Sequence, residues 1–129
     1  MAAADVTGGE KQVDYVNTHG TSTPVGDLAE LKAIKDAFTK KGYQPNVGST
    51  KSLTGHAVGA AGVHEAIYST LMMNKGFLAE SVNIEELVDE ADGMNILTKR
   101  KDGDVNRVMS NSFGFGGTNA CLVFDKYSA

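Results

Sequence analysis

The chain has 129 residues, which fits a single domain, since domains typically run to about 100–150 residues. Apolar residues make up 41% and charged residues 22%, which is ordinary globular usage and excludes a disordered chain. The formal net charge of −4, with no cluster of Lys or Arg, argues against nucleic-acid binding, and no run approaches the roughly 18 apolar residues of a membrane span.

Short β-branched or aromatic runs alternate along the chain with segments of helical periodicity. In chain order they predict a strand at 13–17, a helix at 27–40, a strand at 46–50, a helix at 59–74, and strands at 95–98, 107–110 and 119–125. Residues 1–12 have little apolar content and no periodicity, which is typical of a frayed end. Strands alternating with helices predict one α/β domain over residues 1–129, with its sheet covered on both faces.

The predicted helix at 59–74 is apolar around most of its circumference. Val63, Ile67 and Leu71 form one stripe, which is extended around the helix by Ala66, Tyr68, Met72 and Met73. A helix that is apolar on most faces is typical of a buried one.

Two histidine-containing loops each follow a predicted strand and precede a helix. His19 follows the strand at 13–17, and His56 ends a polar loop at 51–56 that follows the strand at 46–50. In an open α/β sheet this is the carboxyl edge, where ligands usually bind. Two imidazoles and Lys51 at one edge would stabilise an anion. The alternative is that both histidines bond to nearby backbone and that Lys51 is solvated.

The remaining polar residues have simpler interpretations. Asp27 and Glu30 are expected to cap the helix at 27–40, and His64 is expected to be a histidine without a chemical role. The histidine spacings match no metal-binding pattern, so no metal site is predicted. The glycine-rich residues 113–118 are expected to form a tight loop between antiparallel strands.

Cys121 is the only cysteine, which excludes an intramolecular disulfide and suits a reducing compartment. It lies in an alternating apolar strand, where a small buried hydrophobe is the better interpretation than a nucleophile. The start of the sequence shows no secretion signal, so we expect a cytoplasmic protein.

Three separated segments together resemble the signature blocks of one enzyme family. They are VDYVNTHGTSTPVG at 13–26, TKSLTGHAVGAAG at 50–62 and NSFGFGGTN at 111–119. Their order and spacing are similar to those of the β-ketoacyl-acyl-carrier-protein synthases, the condensing enzymes of the thiolase-like superfamily. The connecting segments SVNIEEL and GMNIL are closest to the bacterial type I synthase of fatty-acid elongation. The resemblance implies the C-terminal half of a thiolase-like fold, a mixed β-sheet flanked by helices.

The resemblance also implies catalytic roles for four residues. His19 and His56 match the two histidines of a Cys-His-His triad, which donate hydrogen bonds to the malonyl thioester oxygen during decarboxylation. Lys51 matches a lysine that orders the site electrostatically. Glu30 matches an acidic residue that helps to hold this network.

Further residues match the substrate-binding parts of the family. Thr21 and Thr23 match threonines that bind the phosphopantetheine arm of acyl carrier protein. The backbone N–H of Phe115 matches part of the oxyanion hole, and Phe113, Gly114 and Phe115 match the loop that gates the acyl pocket. No cofactor is implied beyond the phosphopantetheine of the carrier.

These synthases are considerably longer than this chain, and their nucleophilic cysteine lies in the N-terminal half. Cys121 matches no catalytic position, so we expect this chain to be a C-terminal portion, inactive alone, with acyl carrier protein and the N-terminal half as partners. The resemblance implies that the helix at 59–74 is buried where the two halves stack. Without the N-terminal half we therefore expect much of its apolar surface to face water, and the chain to self-associate through that surface or to be poorly folded. Two alternatives are a non-catalytic interaction module with the same fold and a thiol hydrolase that uses Cys121.

Overall fold

The computed structural model of the chain describes residues 12–127 and shows a five-stranded sheet with helices packed against it. The strands are β1 (Tyr15–Asn17), β2 (Asn46–Gly48), β3 (Phe77–Leu78), β4 (Asn95–Ile96), β5 (Lys101–Asp102), β6 (Arg107–Phe113) and β7 (Asn119–Asp125). The helices are α1 (Gly26–Ala37), α2 (Lys51–Thr54) and α3 (Ala61–Lys75), with 3₁₀ turns at Thr39–Lys41, Val58–Ala60 and Asp89–Ala91. Within residues 12–127, no helix is long and apolar enough to cross a membrane.

The sheet is mixed, with strand order β4-β2-β1-β6-β7. The pairs β1–β2, β1–β6 and β2–β4 are parallel, whereas β6 and β7 are antiparallel and pair in register from Phe113 opposite Asn119 to Arg107 opposite Asp125. Strands β3 and β5 form a separate two-stranded sheet. The predicted α/β class with a mixed sheet is therefore confirmed.

Adjacent residues of β1 contribute to hydrophobic clusters on opposite faces of the sheet, because successive side chains of a strand point to opposite sides. Tyr15 belongs to a buried cluster with Met72 and Met73 of α3. Val16 belongs to a second buried cluster with Ile34 of α1. Helices α1 and α3 consequently cover opposite faces, as the sequence predicts.

The boundaries of several elements differ from the predictions. The segment at 51–54, predicted as loop, forms the one-turn helix α2, because Thr54 donates to the Thr50 carbonyl and Gly55 N–H donates to the Lys51 carbonyl. The helix predicted at 27–40 ends at Ala37, and a 3₁₀ turn leads to Gly42, whose φ of +79° suits glycine. The frayed end predicted at 1–12 lies almost wholly outside the described residues.

Helix α3 carries an exposed apolar stripe. The side chains of Val63, Ile67 and Leu71 are 62%, 51% and 48% exposed. The helix buries the side that carries Met72 and Met73 against the sheet, and nothing within residues 12–127 covers its outer stripe. The expectation that much of its apolar surface faces water in this chain is therefore confirmed for the described residues.

Gly48 in β2 lies where an added side chain would be in tight contact with its neighbours. A Cβ atom there would sit 3.0 Å from the Tyr15 hydroxyl and 3.1 Å from Ser81 Oγ, and both neighbours are buried. We expect Gly48→Ala to lower the free energy of unfolding by about 1–3 kcal/mol, the usual cost of overpacking. Urea unfolding would measure this loss. Gly59→Ala is the matched control, because its Cβ would meet nothing within 4 Å, and equal losses in the two variants would contradict the expectation.

Candidate active site

The two predicted histidines meet at one edge of the sheet. His19 lies just beyond β1, and His56 follows α2 beyond β2, at the carboxyl ends of two parallel strands. Their ring centroids are 5.4 Å apart and the rings are nearly perpendicular, at 88°. The expected convergence of the two imidazoles is therefore confirmed.

The loop between β6 and β7 begins beside the two histidines. Phe113, the last residue of β6, packs edge-on against His19 with ring centroids 5.7 Å apart. Gly114 N–H donates to the Thr118 carbonyl at 2.7 Å, which confirms a tight loop between antiparallel strands. Gly116 has a φ of +82°, and the Phe115 side chain is 97% exposed.

His56 has a defined tautomer. The alternative interpretation of a histidine bonded to nearby backbone holds in part, because Val58 N–H donates to His56 Nδ1 at 3.3 Å. A neutral ring that accepts at Nδ1 carries its proton on Nε2. His56 therefore keeps one N–H available as a donor to a ligand.

Glu30 fixes the backbone of the His19 loop through its side-chain carboxylate. Its carboxylate is buried and accepts hydrogen bonds from the backbone N–H groups of His19 and Gly20, each at 3.0 Å. It also accepts from Asn111 Nδ2 at 3.0 Å. One side chain on α1 thus fixes the His19 loop against β6.

The predicted helix-capping role of Glu30 is wrong, since its carboxylate points inward to these donors. The residue before α1 is Val25, whose side chain makes no capping hydrogen bond. Asp27 accepts from Thr23 N–H at 3.3 Å and so stabilises the turn that leads into α1.

Lys51 is buried, and the expectation of a solvated lysine is wrong. Its ammonium pairs with the carboxylate of Glu65 on α3, and the two side chains are only 6% and 2% exposed. Burial raises the pKa of Glu65, and the charge of Lys51 opposes that rise. Glu65 is the site residue that sequence reasoning missed. The sequence feature that indicates its burial is its spacing of four residues from both Ala61 and Ser69, which places it on the buried side of α3.

Two further contacts join the loops that carry the histidines. Asn17 and Thr50 exchange hydrogen bonds at 3.2 Å across the ends of β1 and β2. Ser49 Oγ donates to the Gly20 carbonyl at 2.9 Å. The relative position of the two loops is therefore set by short buried or half-buried contacts.

The two threonines named by the resemblance lie in the loop between His19 and α1. Their hydroxyl oxygens are 3.4 Å apart. Thr21 is half-buried and Thr23 is exposed. This places both hydroxyls on the chain segment that joins the His19 loop to the start of α1.

The surroundings of His19 favour its neutral form. Desolvation by burial is the largest cause that lowers the pKa of His19, followed by the charges of Lys51 and His56, whereas Asp27 acts in the opposite direction. Its Nδ1 is buried and has no hydrogen-bond partner within residues 12–127. A neutral imidazole can donate one hydrogen bond to a developing negative charge without carrying charge itself.

We expect the His19 imidazole to be half-protonated at a pH below its ordinary value of 6.5. The unfolded ring takes up its proton at higher pH than the folded ring, so protonation favours unfolding. The contribution of His19 to stability is then full above pH 6.5 and is lost as the pH falls through the folded value. A titration followed by NMR of the histidine ring protons measures the midpoint, with His19→Gln assigning the signal. A midpoint above 6.5 would contradict the expected neutral ring.

Cys121 lies on β7, the strand that pairs with β6. It is exposed on β7 opposite Asn111, so the expectation of a buried residue is wrong, because β7 is an edge strand in the described chain. Desolvation, followed by the charge of Glu30, raises the pKa of the Cys121 thiol. A raised pKa lowers the thiolate fraction and therefore the nucleophilicity at neutral pH. Among the described residues, no three metal-binding side chains are grouped as a metal site requires.

Comparison with known proteins finds one family. Residues 1–85 match the family described as "Beta-ketoacyl synthase, C-terminal domain". The chain is 57% identical over 119 residues to 3-oxoacyl-(acyl-carrier-protein) synthase 1 of Escherichia coli (strain K12), covering 92% of this chain and 29% of that protein. It is 47% identical over 130 residues to synthase 2 of Staphylococcus aureus (strain COL), covering all of this chain and 31% of that protein.

Solved structures show the same fold. The ishigamide ketosynthase/chain length factor superposes with a TM-score of 0.87 at 31% identity, covering 97% of this chain and 31% of that chain. A β-ketoacyl synthase from Burkholderia phymatum STM815 superposes with a TM-score of 0.82 at 35% identity, covering 90% of this chain and 28% of that chain.

The chain therefore belongs to the β-ketoacyl synthase family, of which it is a C-terminal portion with the thiolase-like fold. It spans less than a third of the length of these synthases.

Proposed function

We propose that this chain is the C-terminal part of a 3-oxoacyl-acyl-carrier-protein synthase that elongates fatty acids in the cytoplasm. The complete enzyme condenses an acyl thioester with malonyl-acyl carrier protein in a decarboxylative Claisen reaction. The observation that carries the proposal is the pair of imidazoles with centroids 5.4 Å apart at the carboxyl ends of β1 and β2. The names of the relatives support the same reaction class.

The two imidazoles supply what decarboxylation requires. When the bond between the malonyl carboxylate and its neighbouring carbon breaks, carbon dioxide leaves and the electron pair moves onto the thioester oxygen as an enolate. N–H groups of His19 and His56 stabilise this oxygen, because preorganised donors act strongly on charge that develops in a sheltered site. The enolate carbon then attacks the acyl thioester held on a cysteine of the N-terminal half, and the thiolate leaves.

The other site residues support this reaction. The thioester reaches the histidines on the phosphopantetheine arm of acyl carrier protein, which Thr21 and Thr23 bind. The backbone N–H of Phe115 forms part of the oxyanion hole for the acyl thioester, and Phe113 and Gly114 belong to the same gating loop. No other cofactor takes part.

Lys51 and Glu30 act indirectly, through their effects on His19. The positive charge of Lys51 contributes to the lowered pKa of His19 and so favours a neutral donor. Glu30 holds the backbone from which His19 projects. Both residues are therefore positioning residues within this proposal.

Two other functions are less well supported. A non-catalytic interaction module would not need a buried Lys51–Glu65 pair behind two converging histidines. A thiol hydrolase would need Cys121 beside a general base, whereas Cys121 faces Asn111 across the hairpin and its pKa is raised.

A chimera tests the proposal directly. Residues 13–127 of this chain replace the matching part of the E. coli synthase 1, whose own N-terminal half supplies the nucleophile. The chimera is expected to form β-ketoacyl product from acyl- and malonyl-acyl carrier protein, as detected by mass spectrometry. A folded chimera that binds both carriers and releases no carbon dioxide would contradict the proposed function.

The 129-residue chain alone is expected to form no β-ketoacyl product under the same conditions, because it contains no cysteine placed to carry the acyl group. The same mass-spectrometric assay measures this. Product that disappears in the Cys121→Ala variant would instead show that Cys121 is the nucleophile.

A further inference from the structure

The loop that joins β1 to α1 is bound to this helix at two places. Near its start, the Glu30 carboxylate accepts a hydrogen bond from Gly20 N–H at 3.0 Å. Near its end, the Asp27 carboxylate accepts from Thr23 N–H at 3.3 Å, and Asp27 N–H donates to the Thr23 carbonyl at 3.2 Å. Asp27 and Glu30 lie about one turn apart on α1. The backbone between Gly20 and Thr23 therefore has to turn within two residues.

Ser22 lies in this turn and has a left-handed backbone. Its φ is +61°, a value that only a few per cent of non-glycine residues adopt. Such a conformation persists at a residue with a side chain only where the surrounding structure holds it. The hydrogen bonds at Gly20 and at Thr23 supply that constraint from both sides.

The turn at Ser22 brings the hydroxyls of the two neighbouring threonines together. In an extended chain, residues two apart point to the same side but are separated by about 6.6 Å. The Oγ1 atoms of Thr21 and Thr23 are only 3.4 Å apart. The left-handed residue between them accounts for this approach, and the two hydroxyls form a hydrogen-bonded pair.

Gly26, the first residue of α1, leaves room for one of these hydroxyls. A Cβ atom at this position would lie 2.6 Å from Thr23 Oγ1, closer than real Cβ contacts come. The φ of Gly26 lies outside the left-handed region, so its backbone would accept alanine. The position of the Thr23 hydroxyl, and not the backbone of the helix, is therefore what requires glycine here.

The hydroxyl pair has the polar groups that an amide ligand needs. One hydroxyl proton is used between Thr21 and Thr23, which leaves the second proton and several lone pairs for a ligand. The pair can therefore donate to a carbonyl oxygen and accept from an N–H. A secondary amide offers both groups, and the phosphopantetheine arm carries secondary amides.

We propose that Ser22 and Gly26 are positioning residues for the phosphopantetheine arm. Ser22 acts through its left-handed backbone, and Gly26 acts through its lack of a side chain. Together they hold the hydroxyls of Thr21 and Thr23 as one pair. This inference rests on the proposed function, which assigns the two threonines to the arm.

Substitutions of Ser22 in the chimeric synthase test the backbone role. Ser22→Val is expected to raise KM for malonyl-acyl carrier protein roughly tenfold, the value of one lost hydrogen bond, because a β-branched residue disfavours the left-handed turn. The change in kcat is expected to stay below about twofold, since Glu30 holds His19 through separate hydrogen bonds. Ser22→Gly is the matched control and is expected to keep KM, because glycine adopts a positive φ readily. A Ser22→Gly variant that loses as much as Ser22→Val would overturn the backbone role.

Gly26→Ala tests the second position and decides the matter if Ser22→Val does not fold. It is expected to raise KM to a similar extent without lowering the midpoint of thermal unfolding, because Thr23 can rotate its hydroxyl away and alanine favours a helix. When Thr21 and Thr23 are both replaced by valine, neither Ser22→Val nor Gly26→Ala should raise KM further. A further increase in that background would show that the two residues do not act through the hydroxyls.

Binding of pantetheine to the chimera, followed by saturation-transfer NMR, gives a readout that needs no turnover. Ser22→Val and Gly26→Ala are expected to weaken this binding roughly tenfold, whereas Ser22→Gly should leave it unchanged. Binding that follows this pattern in a chimera that releases no carbon dioxide would contradict the proposed reaction and support the positioning role. Normal turnover with unchanged KM and pantetheine binding in both variants would overturn this inference alone.

Discussion

Replacing His19 with alanine in the chimeric synthase is expected to lower the rate of malonyl decarboxylation by about 10²–10³-fold, the usual cost of one preorganised donor. The physical reason is that, in the proposed mechanism, the enolate oxygen then keeps only the N–H of His56, whose ring centroid lies 5.4 Å from that of His19. Carbon dioxide release from malonyl-acyl carrier protein measures the effect. Replacing both histidines should cost less than the product of the two single losses, because the proposed mechanism has both act on one oxygen.

His64→Ala is the control for this experiment. His64 lies on α3 with its ring 6.1 Å from that of Tyr68, outside the histidine pair. Its replacement is expected to leave decarboxylation unchanged. Equal losses in the His19 and His64 variants would mean that the converging imidazoles are not the catalytic donors.

Lys51→Met is expected to lower the free energy of unfolding by about 3–5 kcal/mol, because it leaves the Glu65 carboxylate buried without its partner. The double variant Lys51→Met, Glu65→Leu is expected to recover most of this loss, since it removes both charges together. Denaturant unfolding measures each variant.

The exposed pair Lys40–Asp36 offers a matched control, since its side chains are 71% and 48% exposed. Lys40→Met is expected to change stability by less than about 1 kcal/mol, as is usual for surface pairs. A similarly small effect of Lys51→Met would show that Glu65 finds another partner or a proton when Lys51 is removed.

Local sequence patterns were sufficient to predict the α/β class, whereas the mixed sheet was implied only by the family resemblance. The apolar spacing of Leu31, Ile34 and Phe38 predicted α1, and parallel strand ends predicted that His19 and His56 would meet. Both predictions rest on short-range periodicity and on a general property of α/β sheets. The second histidine loop was placed correctly even though α2 was missed, because a single turn of helix carries almost no periodicity.

The partners of individual charges could not be predicted in this way. Lys51 and Glu65 are 14 positions apart, and only the packing of α3 brings them together in a buried pair. Glu30 satisfies a common capping pattern in the sequence, yet its donors come from the His19 loop and from β6. The exposure of Cys121 depends on β7 being the last strand, which the residues of β7 alone do not reveal.

The Glu30 carboxylate has a consequence for the order in which a complete active site assembles. It fixes the His19 loop using donors that all belong to this chain, namely His19 N–H, Gly20 N–H and Asn111. The conformational entropy of that loop is therefore lost when this portion folds. Under the proposed function, packing against the N-terminal half does not have to order the loop again. We therefore expect the cysteine of the N-terminal half to pack against a His19 loop that is already ordered, with little change in the conformation of that loop.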